Sequence, residues 1–183
     1  RSLRAKLTAL AVRIGVGQMA AQFIAGNDPL EALKPLRKLR RRKIAFTCDL
    51  LGEFSLSEQE SLAYLERYMK ALSVFGRDIR SWPEAAPIIL EHPGERSPVC
   101  ISVKLTALYS QCSILNFERT VATLSERLSL IVRKAKEINA LVYVDAEDVS
   151  SNDMIYESFR RVFGSNEFKD FPYPGIVLQA YAK

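Results

Sequence analysis

Four apolar runs in this sequence each deliver one polar side chain at their C-terminal end. Val99-Cys-Ile-Ser-Val103 leads into Lys104, Ile44-Ala-Phe-Thr-Cys48 into Asp49, Ala140-Leu-Val-Tyr-Val144 into Asp145, and Gly175-Ile-Val-Leu178 into Gln179. A lysine leaving a buried strand is costly unless water, a carboxylate or an anionic ligand meets it. Together the four offer a cation for an anionic group, two carboxylates that orient cations, and an amide that donates and accepts. The structural alternative is an internal ion pair between Lys104 and a nearby aspartate. Buried pairs add little net stability, so such a pair would need another reason to be there. Glu53 and Glu147 also lie close to strand exits, and Glu147 suits a partner for a lysine or arginine. A paired-carboxylate glycosidase could use Asp49 and Asp145, but it leaves Lys104 and Gln179 without work. Tyr109 and Tyr181 read as core or rim aromatics rather than ligand stackers.

The elements that must position these groups alternate. Helical spacing of Leu3, Leu7, Leu10, Ile14, Met19 and Phe23 predicts one long or two short helices over 2–25, ended by Gly26-Asn27. Asp28-Pro-Leu-Glu31 has the form of a capping box with proline at the first helical position. Leu30, Leu33, Leu36 and Leu39 form the expected inner stripe of a second helix. That helix ends in Arg37, Lys38, Arg40, Arg41, Arg42 and Lys43. The basic end reads as a solvated face that complements the helix dipole, in preference to a membrane or nucleic-acid patch. Strand one is expected at Ile44–Cys48. Ser57-Glu-Gln-Glu60 then opens a helix through Leu62, Leu65, Met69 and Leu72 that ends at Gly76.

A loop with Pro83, Pro87, Pro93 and Pro98 leads to strand two, Val99–Leu105. Ser113 or Asn116 caps a long helix with Phe117, Val121, Leu124, Leu128, Ile131, Val132 and Ala135 on one side. Strand three, Ala140–Val144, a short helix over Asp153–Phe163 stopped by Gly164, and strand four, Gly175–Tyr181, complete the chain. Parallel strands each followed by a helix, with polar groups at the strand exits, predict an α/β fold of the (βα)8 TIM-barrel type. Only strands one to four are here, preceded by N-terminal helices, with 1–43 as a helical segment and 44–183 as the first half of the barrel. No glycine-rich phosphate fingerprint follows any strand, so a doubly wound dinucleotide fold is the weaker reading.

Composition narrows the chemistry. The chain has 183 residues, 48% of them hydrophobic, and a net charge of +5. It fits one domain or part of one, with no apolar run of membrane-spanning length and no signal peptide. Its first residue is Arg1, and the expectation is that it is cut from something longer. Cys48, Cys100 and Cys112 are sparse and odd in number, which fits reduced core thiols better than a disulfide framework. His92 is the single histidine, in the turn-like Glu91-His-Pro-Gly94. A His-rich metal site is excluded, and a Ser-His-Asp triad is disfavoured.

Five motifs in order resemble a known family: Gln18-Met-Ala-Ala-Gln-Phe-Ile-Ala-Gly26, Phe46-Thr-Cys-Asp-Leu-Leu-Gly-Glu53, Ile101-Ser-Val-Lys-Leu-Thr-Ala-Leu108, Val144-Asp-Ala-Glu147 and Val177-Leu-Gln-Ala-Tyr181. They look like the successive motifs of proline dehydrogenase, in the form found in the bifunctional flavoenzymes called proline utilisation A. The resemblance implies a distorted (βα)8 barrel with FAD over the strand exits, oxidising L-proline to Δ1-pyrroline-5-carboxylate. It implies a membrane quinone as electron acceptor, an aldehyde dehydrogenase domain as a candidate companion, and a cytoplasmic protein with peripheral attachment at the inner membrane. No nucleic-acid partner is implied. By the same resemblance, Lys104 helps hold the proline carboxylate, Asp49 lies beside the substrate, Asp145 near substrate and flavin, and Gln179 bonds the flavin ring. The family's strand-five arginine, late tyrosine and paired arginines of the last helix have no counterpart here. The expectation is therefore a chain carrying about half of an active site, inactive alone. The alternative is a naturally short, catalytically dead half-barrel that pairs with another chain.

Overall fold

The computed structural model describes residues 3–20, 23–52, 54–82, 99–172 and 174–181. The proline-rich loop 83–98 with His92, and Glu53, lie outside the described residues. In chain order the elements are α1 (Leu3–Ala20), α2 (Pro29–Arg41), β1 (Cys48–Asp49), α3 (Glu58–Asp78), β2 (Cys100–Lys104), α4 (Phe117–Glu137), β3 (Leu141–Asp145), α5 (Asn152–Phe163) and β4 (Pro174–Ile176). The four strands form one parallel sheet in sequential order, with β1 and β4 at its edges. Each strand pair is bridged by a helix, as parallel pairing requires. The helices α2, α3, α4 and α5 pack as successive neighbours.

The first and last strands are shorter than the sequence predicts. After α2 the amides of Arg42, Lys43 and Ile44 fold back onto the carbonyls of Leu39 and Arg40, at 2.8–3.0 Å, and Lys43 takes a left-handed φ of 57°. Ile44 thus closes the helix rather than entering a ladder. Pairing starts only at Cys48, opposite Ile101, so Asp49 is a strand residue and not the first residue of an exit loop. At the other edge Val144 pairs with Ile176, and the Val177 amide bonds the Val144 carbonyl at 3.0 Å. β3 ends at Asp145, and among the described residues Leu178 to Tyr181 join no ladder. Gln179 therefore lies past β4, not in it.

Both predicted N-caps form, with the acidic return contact falling one residue before the N-cap rather than on it. Asp28 accepts from the Leu30 amide at 2.8 Å while Glu31 accepts from Asn27 at 3.0 Å. Ser57 accepts from the Glu60 amide at 3.2 Å, and Glu60 accepts from Leu56 at 2.8 Å. These side chains satisfy the amides that a helix start leaves without partners. Ser113 caps a short 3-10 turn, Ile114–Asn116, ahead of α4. Helix α3 does not stop at Gly76 but runs on to Asp78. A Cβ at position 76 would come within 2.6 Å of Ile138, so the glycine is there for close packing and not as a terminator. Helix α1 ends before Gly26, where the amides of Phe23 and Ile24 close on the Ala20 carbonyl.

The inner faces also shift by a residue or more. In α2 the buried row is Ala32, Leu36 and Arg40, whereas Leu30 is exposed. The Arg40 guanidinium lies 4.7 Å over the Phe46 ring, and Arg37 lies 5.7 Å from the Trp82 ring. Part of the basic run is thus packed against aromatics, and only Lys38, Arg41, Arg42 and Lys43 face solvent. In α3 the buried set is centred on Tyr64, Tyr68, Ala71, Leu72 and Phe75, and Leu62 is exposed. In α4, Val121, Leu124, Leu128, Ile131, Val132 and Ala135 are fully buried, as their spacing predicts. Each larger member of such a stripe contributes about 1.5–3 kcal/mol of apolar transfer. Together with Ile101, Val103, Val142 and Val144 of the central strands they form the middle of the core.

Candidate active site

The sheet brings the predicted polar groups to one rim. In the β2–β3 register Lys104 is opposite Asp145, and both are the last residues of their strands. Asp49 ends β1 opposite Ser102, two positions short of Lys104. The Lys104 side chain spans that offset. Its Nζ donates to Asp49 Oδ2 at 2.9 Å and meets Glu147 Oε1 at 3.1 Å. The lysine is buried, while Asp49 and Glu147 are partly open. Burial pushes the ammonium toward its neutral form. The hydrogen bonds and charges of Asp49 and Glu147 outweigh that and hold its pKa above the ordinary lysine range. Lys104 is therefore a fixed cation.

The carboxylate that reaches Lys104 from the β3 side is Glu147, not Asp145. Asp145 instead accepts from the next amide, Ala146, at 3.0 Å. Gln179 bridges from the segment after β4 to this same turn: its Nε2 donates to the Ala146 carbonyl at 3.1 Å. The three exits of β2, β3 and β4 are thus linked around Ala146. Tyr109 is buried and Tyr181 is an exposed rim residue, as the sequence suggests. Among the described residues no group of His, Cys, Asp and Glu could hold a metal, and the three cysteines are free thiols.

Side chains that carried no signal in the sequence hold this rim in place. Fully buried Tyr68, on α3, accepts from the Lys104 amide at 3.1 Å. Burial and the charge of Asp49 raise its pKa, while the bond from the Lys104 amide opposes them, so its phenol stays protonated. Ser55 donates to the Ala107 carbonyl at 2.5 Å, and Arg127 bonds both the Leu108 carbonyl and Glu58. The turn after Lys104 is therefore tied at three points to α3, α4 and the loop before α3. The loop after Asp49 is tied too: Tyr64 donates to the Leu51 carbonyl at 3.0 Å, over a Gly52 whose φ is +130°. Asn152, first residue of α5, donates to Gln179 Oε1 at 2.8 Å. None of these contacts follows from helical or strand periodicity, because each joins elements far apart in the chain.

The chemistry of the rim is one buried ammonium among three carboxylates, beside an oriented amide. A family model, proline dehydrogenase, matches residues 32–183. The chain belongs to the proline dehydrogenase family. It is 28% identical over 165 residues to the bifunctional protein PutA of Escherichia coli (strain K12), covering 90% of this chain and 12% of that protein. It is 29% identical over 175 residues to proline dehydrogenase 1 of Bacillus subtilis (strain 168), covering 96% of this chain and 48% of the relative. This proline dehydrogenase family chain thus spans about half, or far less, of the curated relatives it matches. Among solved structures, proline utilization A from Bdellovibrio bacteriovorus inactivated by N-propargylglycine superimposes with a TM-score of 0.89. The identity is 36%, over 97% of this chain and 18% of that one. The α/β architecture of parallel sheet and helices is shared with that structure.

Proposed function

We propose that residues 44–183 form the first half of a (βα)8 barrel of an FAD-dependent L-proline dehydrogenase, with 1–43 as a helical segment leading into it. The observation that carries the reading is the Lys104 ammonium, fixed between Asp49 and Glu147 at the exit end of the sheet. An ammonium has three donors, and two are spent on these carboxylates. The third can meet the carboxylate of proline, while Asp49 and Asp145 favour its cationic amine.

The rim fits a flavin in its donor set. Among the described residues Gln179 spends one N–H and one acceptor site, leaving one of each for a ring edge that both donates and accepts. Gln179 and Asp145 are the residues that would hold FAD here. When bound, a flavin supplies a hydride acceptor for the oxidation of proline to Δ1-pyrroline-5-carboxylate. Lys104 and Asp49 hold and orient the substrate. Passage of electrons to a membrane quinone, a cytoplasmic site at the inner membrane, and an aldehyde dehydrogenase domain in the same protein belong to this reading through the resemblance of the five motifs.

The test is the natural protein that contains this chain. It should be yellow, bleach on addition of L-proline, and keep its flavin in Lys104→Ala while the KM for proline rises at least tenfold. A colourless protein that binds no FAD would overturn the reading in favour of an inactive half-barrel that pairs with another chain. Unchanged proline affinity in Lys104→Ala would remove Lys104 from the site.

A further inference from the structure

Resting on the reading of Gln179 as a flavin contact, we propose that Asn152 is a positioning residue that sets the direction of the Gln179 amide. The polarity of the network follows from one backbone group. The Ala146 carbonyl can only accept, so the Gln179 end that faces it at 3.1 Å must be Nε2. Gln179 Oε1 then points to Asn152, which must present its Nδ2 at 2.8 Å. Rotating the Gln179 amide by half a turn would set oxygen against oxygen at Ala146 and N–H against N–H at Asn152. The amide is thereby held at both ends, and the groups it offers to a ligand have a defined order.

Asn152 carries a cost for this. It is buried, and its Oδ1 has no hydrogen-bond partner among the described residues. A buried acceptor without a donor is destabilising, and an apolar side chain at the first residue of α5 would avoid it. What the amide supplies at that point, and an apolar side chain would not, is a neutral donor aimed at Gln179 Oε1. Asn152 contributes no group to the ligand side; it acts through Gln179.

Asn152→Asp keeps the shape and replaces the donor with an acceptor. At pH 8 its carboxylate opposes Gln179 Oε1. When protonated it can donate again, and burial raises the pH at which this happens. In the natural flavin-loaded protein, Asn152→Asp should shift the flavin absorption bands at pH 8 and raise the FAD dissociation constant about tenfold, as for one lost hydrogen bond. At pH 5.5 both should return toward the wild-type values measured at that pH. A residue that only packed would show no such pH-dependent recovery. Asn152→Ala, which adds no charge, should show the shift without the recovery, and it decides the matter if the aspartate variant does not fold. Wild-type spectra and FAD affinity in both variants, with Gln179→Ala altered, would overturn the role of Asn152 and leave that of Gln179 standing. Wild-type behaviour in Gln179→Ala as well would overturn both.

Discussion

Helices α1 and α4 are of similar length, and both are rich in apolar residues, yet they end in opposite environments. In α4 the apolar positions 121, 124, 128, 131, 132 and 135 fall on one stripe, and all six residues are fully buried. In α1, Leu7, Leu10, Val12, Ile14, Val16 and Met19 are each 53–66% exposed. Leu7, Leu10 and Ile14 lie on one side of the helix and Val12, Val16 and Met19 on the opposite side, so no single face gathers the apolar residues. Apolar content is thus not what seats a helix; its angular arrangement is. The same contrast separates the sheet's centre from its edges. Strands β2 and β3 pair over five residues each and carry Lys104 and Asp145. The edge strands β1 and β4 pair over two and three, and the segments beyond them are held by side chains such as Tyr64 and Asn152.

The largest expected effect tests the helices directly. Leu128→Ala should cost about 2–5 kcal/mol in urea unfolding of residues 1–183, as a cavity in a packed core does. Leu10→Ala in the same chain should change stability by less than about 0.5 kcal/mol. Comparable losses from the two would break the comparison. Next comes Gly52→Ala at the β1 exit. A Cβ there would lie 1.5 Å from the Tyr64 hydroxyl, on a backbone at φ +130°. The cost should be about 1–3 kcal/mol, read as a lowered Tm. A silent substitution would mean that Tyr64 does not hold this loop.

A smaller effect comes from pH. Burial, then the neighbouring Cys100, pushes the Cys48 thiol from 9.0 up to about 12, with Arg40 opposing. Below about pH 9 neither the folded nor the unfolded chain ionises this thiol, and its contribution is fully present. Above that the unfolded chain loses a proton that the folded chain keeps, so stability falls until about pH 12. One pH unit above 9 the loss should be about 1.4 kcal/mol, and Cys48→Ala should flatten the slope. An unchanged alkaline slope in that variant would place Cys48 in contact with solvent. Smallest of all, Glu137→Gln breaks the exposed Lys134–Glu137 pair, 2.8 Å apart on α4. It should cost about 0.2–0.5 kcal/mol, a value that separates the solvent side of α4 from its buried stripe.

Much of the fold was legible from local signals. Capping boxes marked the starts of α2 and α3, and a clean stripe marked α4, because these depend on residues three or four apart. The strand exits were legible in the same way, and they led to Lys104, Asp49, Asp145 and Gln179. The edges were not legible. Ile44 reads as a strand residue, but its amide is taken by the end of α2. Gly76 reads as a terminator, but Ile138 packs against it. Both outcomes depend on a competing partner that periodicity does not contain.

By itself, then, the sequence determined the order of elements, the polar residue at each strand exit, and membership of the motif series, since all three are properties of residue type and near-neighbour spacing. Only the tertiary structure decided that Glu147, rather than Asp145, pairs with Lys104: Asp145 stands opposite Lys104 in the register, but its carboxylate accepts from the Ala146 amide, and Glu147 reaches the ammonium from two residues beyond the strand end. It also decided that Tyr68, Ser55 and Arg127 hold the turn after Lys104 and that Asn152 holds Gln179. These are single hydrogen bonds between groups 19 to 52 residues apart. Their geometry exists only once the sheet and helices have packed.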